Sequence, residues 1–119
     1  MNFLVVDDSQ VDRYFLGALL TSLGHQVDAC ESATDIVEKV QMGRYSSVFL
    51  DIVMPGQEDG YKLLRKLRAN PTTAHQHVIF YSSKKTPLEI NYGVKQAGAN
   101  DYLTKPITRE QLATALQKI

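Results

Sequence analysis

Short apolar runs alternate with segments of helical periodicity along the chain. Residues 3–6, 48–50 and 78–81 are continuously apolar, which is the pattern of strands buried on both faces of a parallel sheet. Residues 26–30 and 101–103 carry weaker strand patterns, typical of strands at a sheet edge. The apolar pattern therefore predicts five strands.

A helical pattern follows each predicted strand. The first helix has apolar residues at spacings of three and four, and Gly24 follows it in the position just beyond a helix end. Its apolar positions are Val11, Phe15, Ala18, Leu19 and Leu23. A second helix is predicted over residues 32–42, closed by Gly43, and a third over 61–67. The fourth helix ends at Gly98.

Capping residues mark the starts of the last two helices. Thr86 is followed by Pro87 and then by Glu89, which gives an N-cap, a proline at the first helical position and the glutamate of a capping box. Thr108 and Gln111 have the same spacing. The unbroken alternation of strands and helices predicts an α/β fold with a parallel sheet and helices on both faces.

Composition and charge limit the kinds of protein this can be. The 119 residues, 44% of them hydrophobic, suffice for one domain with one core. Thirteen basic and thirteen acidic side chains cancel, so nothing favours a nucleic-acid partner. Cys30 is the single cysteine, so no internal disulfide forms. With no signal peptide and no membrane-length apolar run, we expect a cytoplasmic domain without a membrane partner.

Polar and charged residues follow the predicted strands. Asp7 and Asp8 follow the first, Asp51 the third, Ser82 the fourth, and Lys105 comes after the fifth. Ligand sites in open parallel sheets lie beyond the carboxyl ends of the strands. If the first and third strands are neighbours, the three carboxylates come into contact.

Three like charges so close together would raise at least one pKa or require a cation. Oxygen ligands in a compact site suit Mg²⁺, which phosphate oxygens commonly complete. A carboxylate can itself attack phosphorus and form an aspartyl phosphate. Lys105 and the Ser82 hydroxyl could then hold the remaining phosphoryl oxygens.

Each of these motifs alone also has an ordinary structural interpretation. Asp7, Asp8 and Ser9 could simply cap a helix, and Asp51 could be a turn residue before Pro55. Ser82 alone, or a lysine before a proline alone, does not indicate a functional site. Their common position at the exits of one predicted sheet favours a functional site.

The motifs together resemble the receiver domains of response regulators. The resemblance rests on LVVDDS at residues 4–9, VFLDIVMP at 48–55, DG at 59–60, SS at 82–83, GANDYL at 98–103 and KP at 105–106. It covers nearly the whole chain, and the complete set of motifs is specific. It implies a doubly wound, flavodoxin-like (βα)5 fold with strand order 2-1-3-4-5, and a receiver domain over residues 1–119 with no output domain.

The resemblance also implies a role for each residue. Asp51 would accept a phosphoryl group from a sensor histidine kinase. Asp8, Asp51 and the backbone carbonyl of Val53 would bind Mg²⁺, with Asp7 acting mainly through water. Lys105 would pair with the phosphoryl group, and the peptide between Lys105 and Pro106 would be cis. Ser82 and Tyr102 would form the switch pair, and the signal would leave through the fourth helix, fifth strand and fifth helix toward an unknown target.

One departure and three alternatives accompany this interpretation. Three residues separate Pro55 from Asp59, one more than is usual in the family, and Glu58 stands where an apolar residue is common. A haloacid-dehalogenase-like phosphatase would need an acidic residue at Val53. A receiver-like binding module would have lost part of the carboxylate, serine and lysine set. A nucleotide enzyme would show a glycine-rich loop after the first strand. We therefore expect a phosphoacceptor regulator that catalyses only its own phosphorylation and dephosphorylation.

Overall fold

A computed structural model describes residues 1–54 and 59–119. Within these ranges the chain forms one five-stranded sheet in which every neighbouring pair is parallel. The strands are β1 (Asn2–Val6), β2 (Gln26–Cys30), β3 (Ser47–Leu50), β4 (Val78–Ser82) and β5 (Asp101–Thr104). Their order is β2-β1-β3-β4-β5, so the two strands with weak patterns are the edges, as predicted.

The helices alternate with the strands. They are α1 (Gln10–Ser22), α2 (Ile36–Gly43), α3 (Gly60–Ala69), α4 (Pro87–Asn91) and α5 (Arg109–Leu116). Both predicted capping boxes are present, at Thr86 with Glu89 and at Thr108 with Gln111. Gly24 follows α1 with φ +90°, a left-handed conformation that glycine adopts without strain. The predicted α/β fold class and strand order are confirmed.

Side chains alternate between the two faces of the sheet and build a core on each. On one face Leu4, Val48 and Phe80 pack with residues of α2 and α3. On the other face Phe49 and Tyr81 belong to the core that α1 and α5 complete. Because successive strand residues point to opposite faces, this double burial explains the continuous apolar runs.

The predicted apolar face of α1 was right only in part: Leu19 and Leu23 pack against the core, but Val11 and Phe15 do not. Val11 is 76% exposed and Phe15 is 49% exposed, whereas Leu16 and Leu20 are buried against the sheet. The sequence offers two overlapping stripes on this helix, and the structure buries the one that runs through Leu16 and Leu20. Asp12 lies one turn before Leu16 on that same stripe, so α1 presents a carboxylate toward the sheet where it begins.

Helices α2 and α4 also differ from the predictions. Helix α2 begins at Ile36, not at residue 32, because Ser32 Oγ accepts the Thr34 N–H (3.3 Å) in a local turn and Asp35 is left-handed with φ 61°. Gly43 is its last residue, and Arg44 is the left-handed one. The fourth helix changes after Asn91 into a π-helical segment, Tyr92–Gln96.

No helix within residues 1–54 and 59–119 has the length and apolarity needed to cross a membrane. The predicted departure in the loop between Pro55 and Asp59 falls mainly on residues 55–58, which lie outside the described residues.

Candidate functional site

Three carboxylates meet at the carboxyl end of the sheet. Asp7 directly follows β1 and Asp51 directly follows β3, and the Asp51 N–H donates to the Val6 carbonyl (2.9 Å) across the two strands. One carboxylate oxygen each from Asp7, Asp8 and Asp51 lie within 4.8 Å of one another. Asp7 is fully buried and Asp51 is 6% exposed, whereas Asp8 is exposed. The structure thus brings together the three acidic residues that the sequence placed at strand exits.

Asp7 has a hydrogen-bond donor on each carboxylate oxygen. Its Oδ1 accepts the Ser9 N–H (2.9 Å), and its Oδ2 accepts the Tyr81 hydroxyl (2.6 Å) and the Lys105 ammonium (2.9 Å). Burial by itself raises the pKa of Asp7, but the hydrogen bonds from Tyr81, Ser9 and Lys105 outweigh it and leave the pKa below its ordinary value. Asp7 is therefore a stable anion with little free lone-pair capacity.

Asp51 has the opposite electrostatic situation. Burial, followed by the negative charge of Asp7, raises the pKa of Asp51 to about 7, although Lys105 works in the other direction. The Lys105 ammonium is 3.7 Å from Asp51 Oδ1, farther than it is from Asp7. Without a further cation, the protein therefore stabilises the Asp51 anion poorly.

Lys105 reaches the site from the segment after β5. Its N–H donates to the Ser82 carbonyl (2.8 Å), and the peptide bond to Pro106 is cis, the geometry that the resemblance implies. Its ammonium contacts Asp7 at 2.9 Å and Asp12 at 2.8 Å. Burial tends to lower the pKa of Lys105, but Asp12, Asp7 and Asp51 outweigh it and raise the pKa above its ordinary value. The side chain is therefore a permanent cation beside the three acids.

Ser82 and Tyr102 lie on adjacent strands, β4 and β5. Ser82 is buried, and its Oγ accepts the Lys84 N–H (3.2 Å). The Tyr102 ring is 8% exposed and packs in the same core as Phe80, opposite to Leu103, as strand alternation predicts. Its hydroxyl donates to the Lys84 carbonyl (2.6 Å), so the ring lies inward in this structure. Gly93 makes room for it, since a Cβ there would lie 2.9 Å from Tyr102 Cδ2.

The acidic cluster fits a magnesium ion by the chemistry of its donors. All three side chains offer hard oxygen ligands, and the raised pKa of Asp51 indicates that the cluster lacks positive charge. Val53, the residue expected to supply a carbonyl ligand, lies two positions after Asp51 with its side chain 55% exposed.

Sequence reasoning missed three residues of the site. Tyr81 donates to Asp7 from the end of β4, Asp12 pairs with Lys105 from the first turn of α1, and Arg13 Nη1 donates to the Asp7 carbonyl (2.8 Å). The apolar pattern identifies Tyr81 only as a strand residue, although a tyrosine at a strand exit can place its hydroxyl among the carboxylates. The signal for Asp12 was its position one turn before Leu16.

Comparisons with known proteins agree with this geometry. The family described as "Response regulator receiver domain" matches residues 3–117. The chain is 36% identical to Protein PilH of Pseudomonas aeruginosa, over 98% of this chain and 94% of PilH. It is also 36% identical to the gliding motility regulatory protein of Myxococcus xanthus. This match covers 100% of this chain but only 15% of that protein.

A solved structure extends the comparison to the metal site. The receiver domain of a Pseudomonas aeruginosa sensor histidine kinase superposes with a TM-score of 0.85 at 30% identity, over 98% of this chain and 94% of that one. That structure has a magnesium ion coordinated in its active-site cleft. The family match, the strand order and the carboxylate cluster lead to one conclusion: this chain belongs to the response regulator receiver domains, the phosphorylation-activated switches of two-component signalling.

Proposed function

We propose that Asp51 accepts a phosphoryl group from a sensor histidine kinase in the cytoplasm. The observation that carries the proposal is the contrast between Asp51, whose anion is poorly stabilised, and the surrounding groups that could stabilise its phosphorylated form. A carboxylate oxygen of Asp51 attacks phosphorus, the bond from phosphorus to the kinase's imidazole nitrogen breaks, and that nitrogen keeps the electron pair. The product is an acyl phosphate.

The metal ligands in this proposal are Asp8, Asp51 and the backbone carbonyl of Val53. Asp7 would contribute mainly through water, because hydrogen bonds from Ser9, Tyr81 and Lys105 already occupy its carboxylate. Bound Mg²⁺ would neutralise part of the charge on the carboxylates and on the phosphoryl oxygens. The chain catalyses no more than its own phosphorylation and dephosphorylation.

Ser82 and Lys105 hold the phosphoryl oxygens in this proposal. Ser82 Oγ accepts the Lys84 N–H, and its hydroxyl also interacts with Tyr102, so a phosphoryl oxygen would draw the Ser82 hydroxyl hydrogen away from Tyr102. The Lys105 ammonium is already 3.7 Å from Asp51 and supplies a positive charge.

The signal leaves through the surface of α4, β5 and α5 toward a downstream target. Tyr102 connects this surface with the site, since its hydroxyl binds the Lys84 carbonyl while the Lys84 N–H binds Ser82. Movement of Ser82 toward a phosphoryl group would therefore disturb the segment that holds Tyr102. A few kcal/mol between two arrangements is enough for one charged ligand to change their populations.

Intact-mass spectrometry after incubation with a small phosphodonor tests the proposal. We expect one phosphoryl adduct that is stable in acid and labile in base, that requires Mg²⁺, and that disappears in Asp51→Asn. Asp28→Asn, which removes an aspartate on β2 away from the cluster, should still form it. An adduct on Asp51→Asn, or one that forms equally well in chelator, contradicts the assignment.

Lys105→Ala separates the roles of the metal and of the lysine. We expect Mg²⁺ affinity near that of the unmodified protein, because Lys105 is not a metal ligand, and a weaker shift of residues 86–119 in nuclear magnetic resonance spectra when beryllofluoride is added. An unchanged beryllofluoride response would reject the phosphoryl-binding role of Lys105.

A further inference from the structure

The Lys105 ammonium is shared among three carboxylates, and its shortest contact is not with the phosphorylation site. It lies 2.8 Å from Asp12 Oδ2, 2.9 Å from Asp7 Oδ2 and 3.7 Å from Asp51 Oδ1. An ammonium has three donors. Asp12 and Asp7 accept two of these donors. They hold the ammonium beyond hydrogen-bonding distance of Asp51.

Asp12 is placed for this contact by the way α1 begins. Its N–H donates to the Ser9 cap (3.2 Å), and it lies on the helix face that carries Leu16 into the core. The Asp12 side chain is 40% exposed and that of Lys105 19%. The pair therefore sits at the solvent-facing rim of the site, whereas the contact between Lys105 and Asp7 lies inside it.

The surroundings of Lys105 give its side chain a defined resting place. The ammonium lies 4.7 Å from the centre of the Tyr81 ring, and a small cavity between α1 and the β5–α5 connection is lined by Phe15, Leu16 and Ile107 together with Asp12 and Lys105. Cation–π attraction and the Asp12 carboxylate both favour the lysine in this place.

We propose that Asp12 is a positioning residue that holds Lys105 in the resting state and competes with the phosphoryl group for its ammonium. This inference rests on the proposed function of Asp51 and Lys105. In the resting protein Asp12 keeps the positive charge at the rim, and a phosphoryl group on Asp51 must draw it away. Asp12 thus weakens binding of the phosphoryl group and biases the protein toward its unphosphorylated state.

Binding of beryllofluoride in saturating Mg²⁺ measures this competition. Asp12→Asn should bind the probe about two- to fivefold more tightly than the unmodified protein, the range expected when a partly exposed ion pair no longer competes. Glu38→Gln is the matched control, because it removes one exposed negative charge from α2 on the opposite face of the sheet. It should leave the affinity unchanged.

A double-mutant cycle distinguishes competition for Lys105 from a general effect of charge. In a Lys105→Met background, Asp12→Asn should no longer tighten beryllofluoride binding. Equal or weaker binding in Asp12→Asn alone, or an equal gain with and without Lys105, overturns the proposal. Weaker binding would mean that Asp12 orients Lys105 for the phosphoryl group.

The lysine can also be observed directly without any phosphoryl mimic. In metal-free protein, the ¹⁵N signal of the Lys105 ammonium should shift and exchange faster with water in Asp12→Asn than in Glu38→Gln. An unchanged signal would overturn the resting contact, whether or not Asp51 can be phosphorylated. Failure of the unmodified protein to bind beryllofluoride would instead contradict the proposed function, so the two failures are distinguishable.

Discussion

Strands β1 and β3 are neighbours that both end in front of an aspartate, yet the two carboxylates have opposite surroundings. Asp7, after β1, receives hydrogen bonds from a backbone N–H, a tyrosine and a lysine, and its pKa lies below the ordinary value. Asp51, after β3, is buried beside that anion, and its pKa is raised to about 7. The same residue type at equivalent positions thus has two electrostatic characters.

This difference indicates that Asp7 and Asp51 have different roles in the same site. A pair of acids whose environments push their pKa values apart carries two different roles. Asp7 is a permanent charge that contacts Lys105, whereas the Asp51 anion would gain most from an additional cation. Hydrogen-bond donors surround the Asp7 carboxylate, and burial beside this anion leaves Asp51 the less stabilised of the two.

The largest expected effect concerns pH. Below about pH 7 Mg²⁺ must displace a proton from Asp51, so we expect its affinity to rise about tenfold per pH unit from pH 5 to 7 and to level off above. Calorimetric titration of Mg²⁺ across this range measures the slope. Asp51→Asn should bind more weakly and lose the slope, and a slope that survives in Asp51→Asn would assign the titrating group elsewhere.

Stability of the metal-free protein should depend on pH in opposite directions for the two residues. The folded pKa of Asp51 lies above the 3.8 of a free aspartate, so its contribution is complete below pH 4 and falls as the pH rises to about 7. The folded pKa of Asp7 is lowered, so its contribution is present above the ordinary value and is lost on acidification through the folded pKa. Urea unfolding at several pH values measures both effects. The loss of stability between about pH 4 and pH 7 should disappear in Asp51→Asn.

Tyr81→Phe should make Asp7 resemble Asp51. It removes the hydroxyl that donates to Asp7 Oδ2 at 2.6 Å and leaves a buried anion with fewer donors. We expect the free energy of unfolding to fall by about 2 kcal/mol and the pKa of Asp7 to rise. Urea unfolding and carboxyl nuclear magnetic resonance titration measure the two effects.

Tyr14→Phe is the control for that variant, because Tyr14 is 79% exposed on α1. It should change neither quantity. If Tyr81→Phe and Tyr14→Phe have the same free energy of unfolding, the Tyr81 hydroxyl does not stabilise the buried Asp7 anion. The hydrogen bonds from Lys105 and Ser9 would then be sufficient to stabilise it.

The sequence could predict the fold class and the polar residues at the strand exits, because both follow from local patterns. Continuous apolar runs identify strands covered on both faces, and capping residues such as Thr86 and Thr108 identify helix starts. Parallel strands end at one edge, so Asp7 and Asp51 had to meet once β1 and β3 were neighbours. The order of the strands came from the family resemblance rather than from the patterns.

The arrangement within the site depends on contacts that patterns do not encode. The hydroxyl of Tyr81 reaches Asp7 across 74 positions of sequence, and Lys105 reaches Asp12 across 93. The rotation of α1 decides whether Asp12 faces the sheet, and two apolar stripes compete on that helix. Which aspartate is left poorly stabilised therefore emerges only from the packing of distant elements.

The smallest expected effect concerns the backbone next to Asp7. Arg13 Nη1 donates to the Asp7 carbonyl at 2.8 Å and ties α1 to the exit of β1. We expect Arg13→Gln to lower the free energy of unfolding by about 1 kcal/mol, the usual value of one hydrogen bond, because a glutamine is too short to span the same gap. Arg109→Gln, which alters a more exposed contact of 3.3 Å with Ser22, should lower the free energy of unfolding by less.

Mg²⁺ affinity and its dependence on pH should stay the same in both variants, since neither arginine contacts a carboxylate oxygen. A change in the pH dependence of Arg13→Gln would show that the position of the Asp7 backbone, and not only its hydrogen-bond donors, controls the pKa of Asp51.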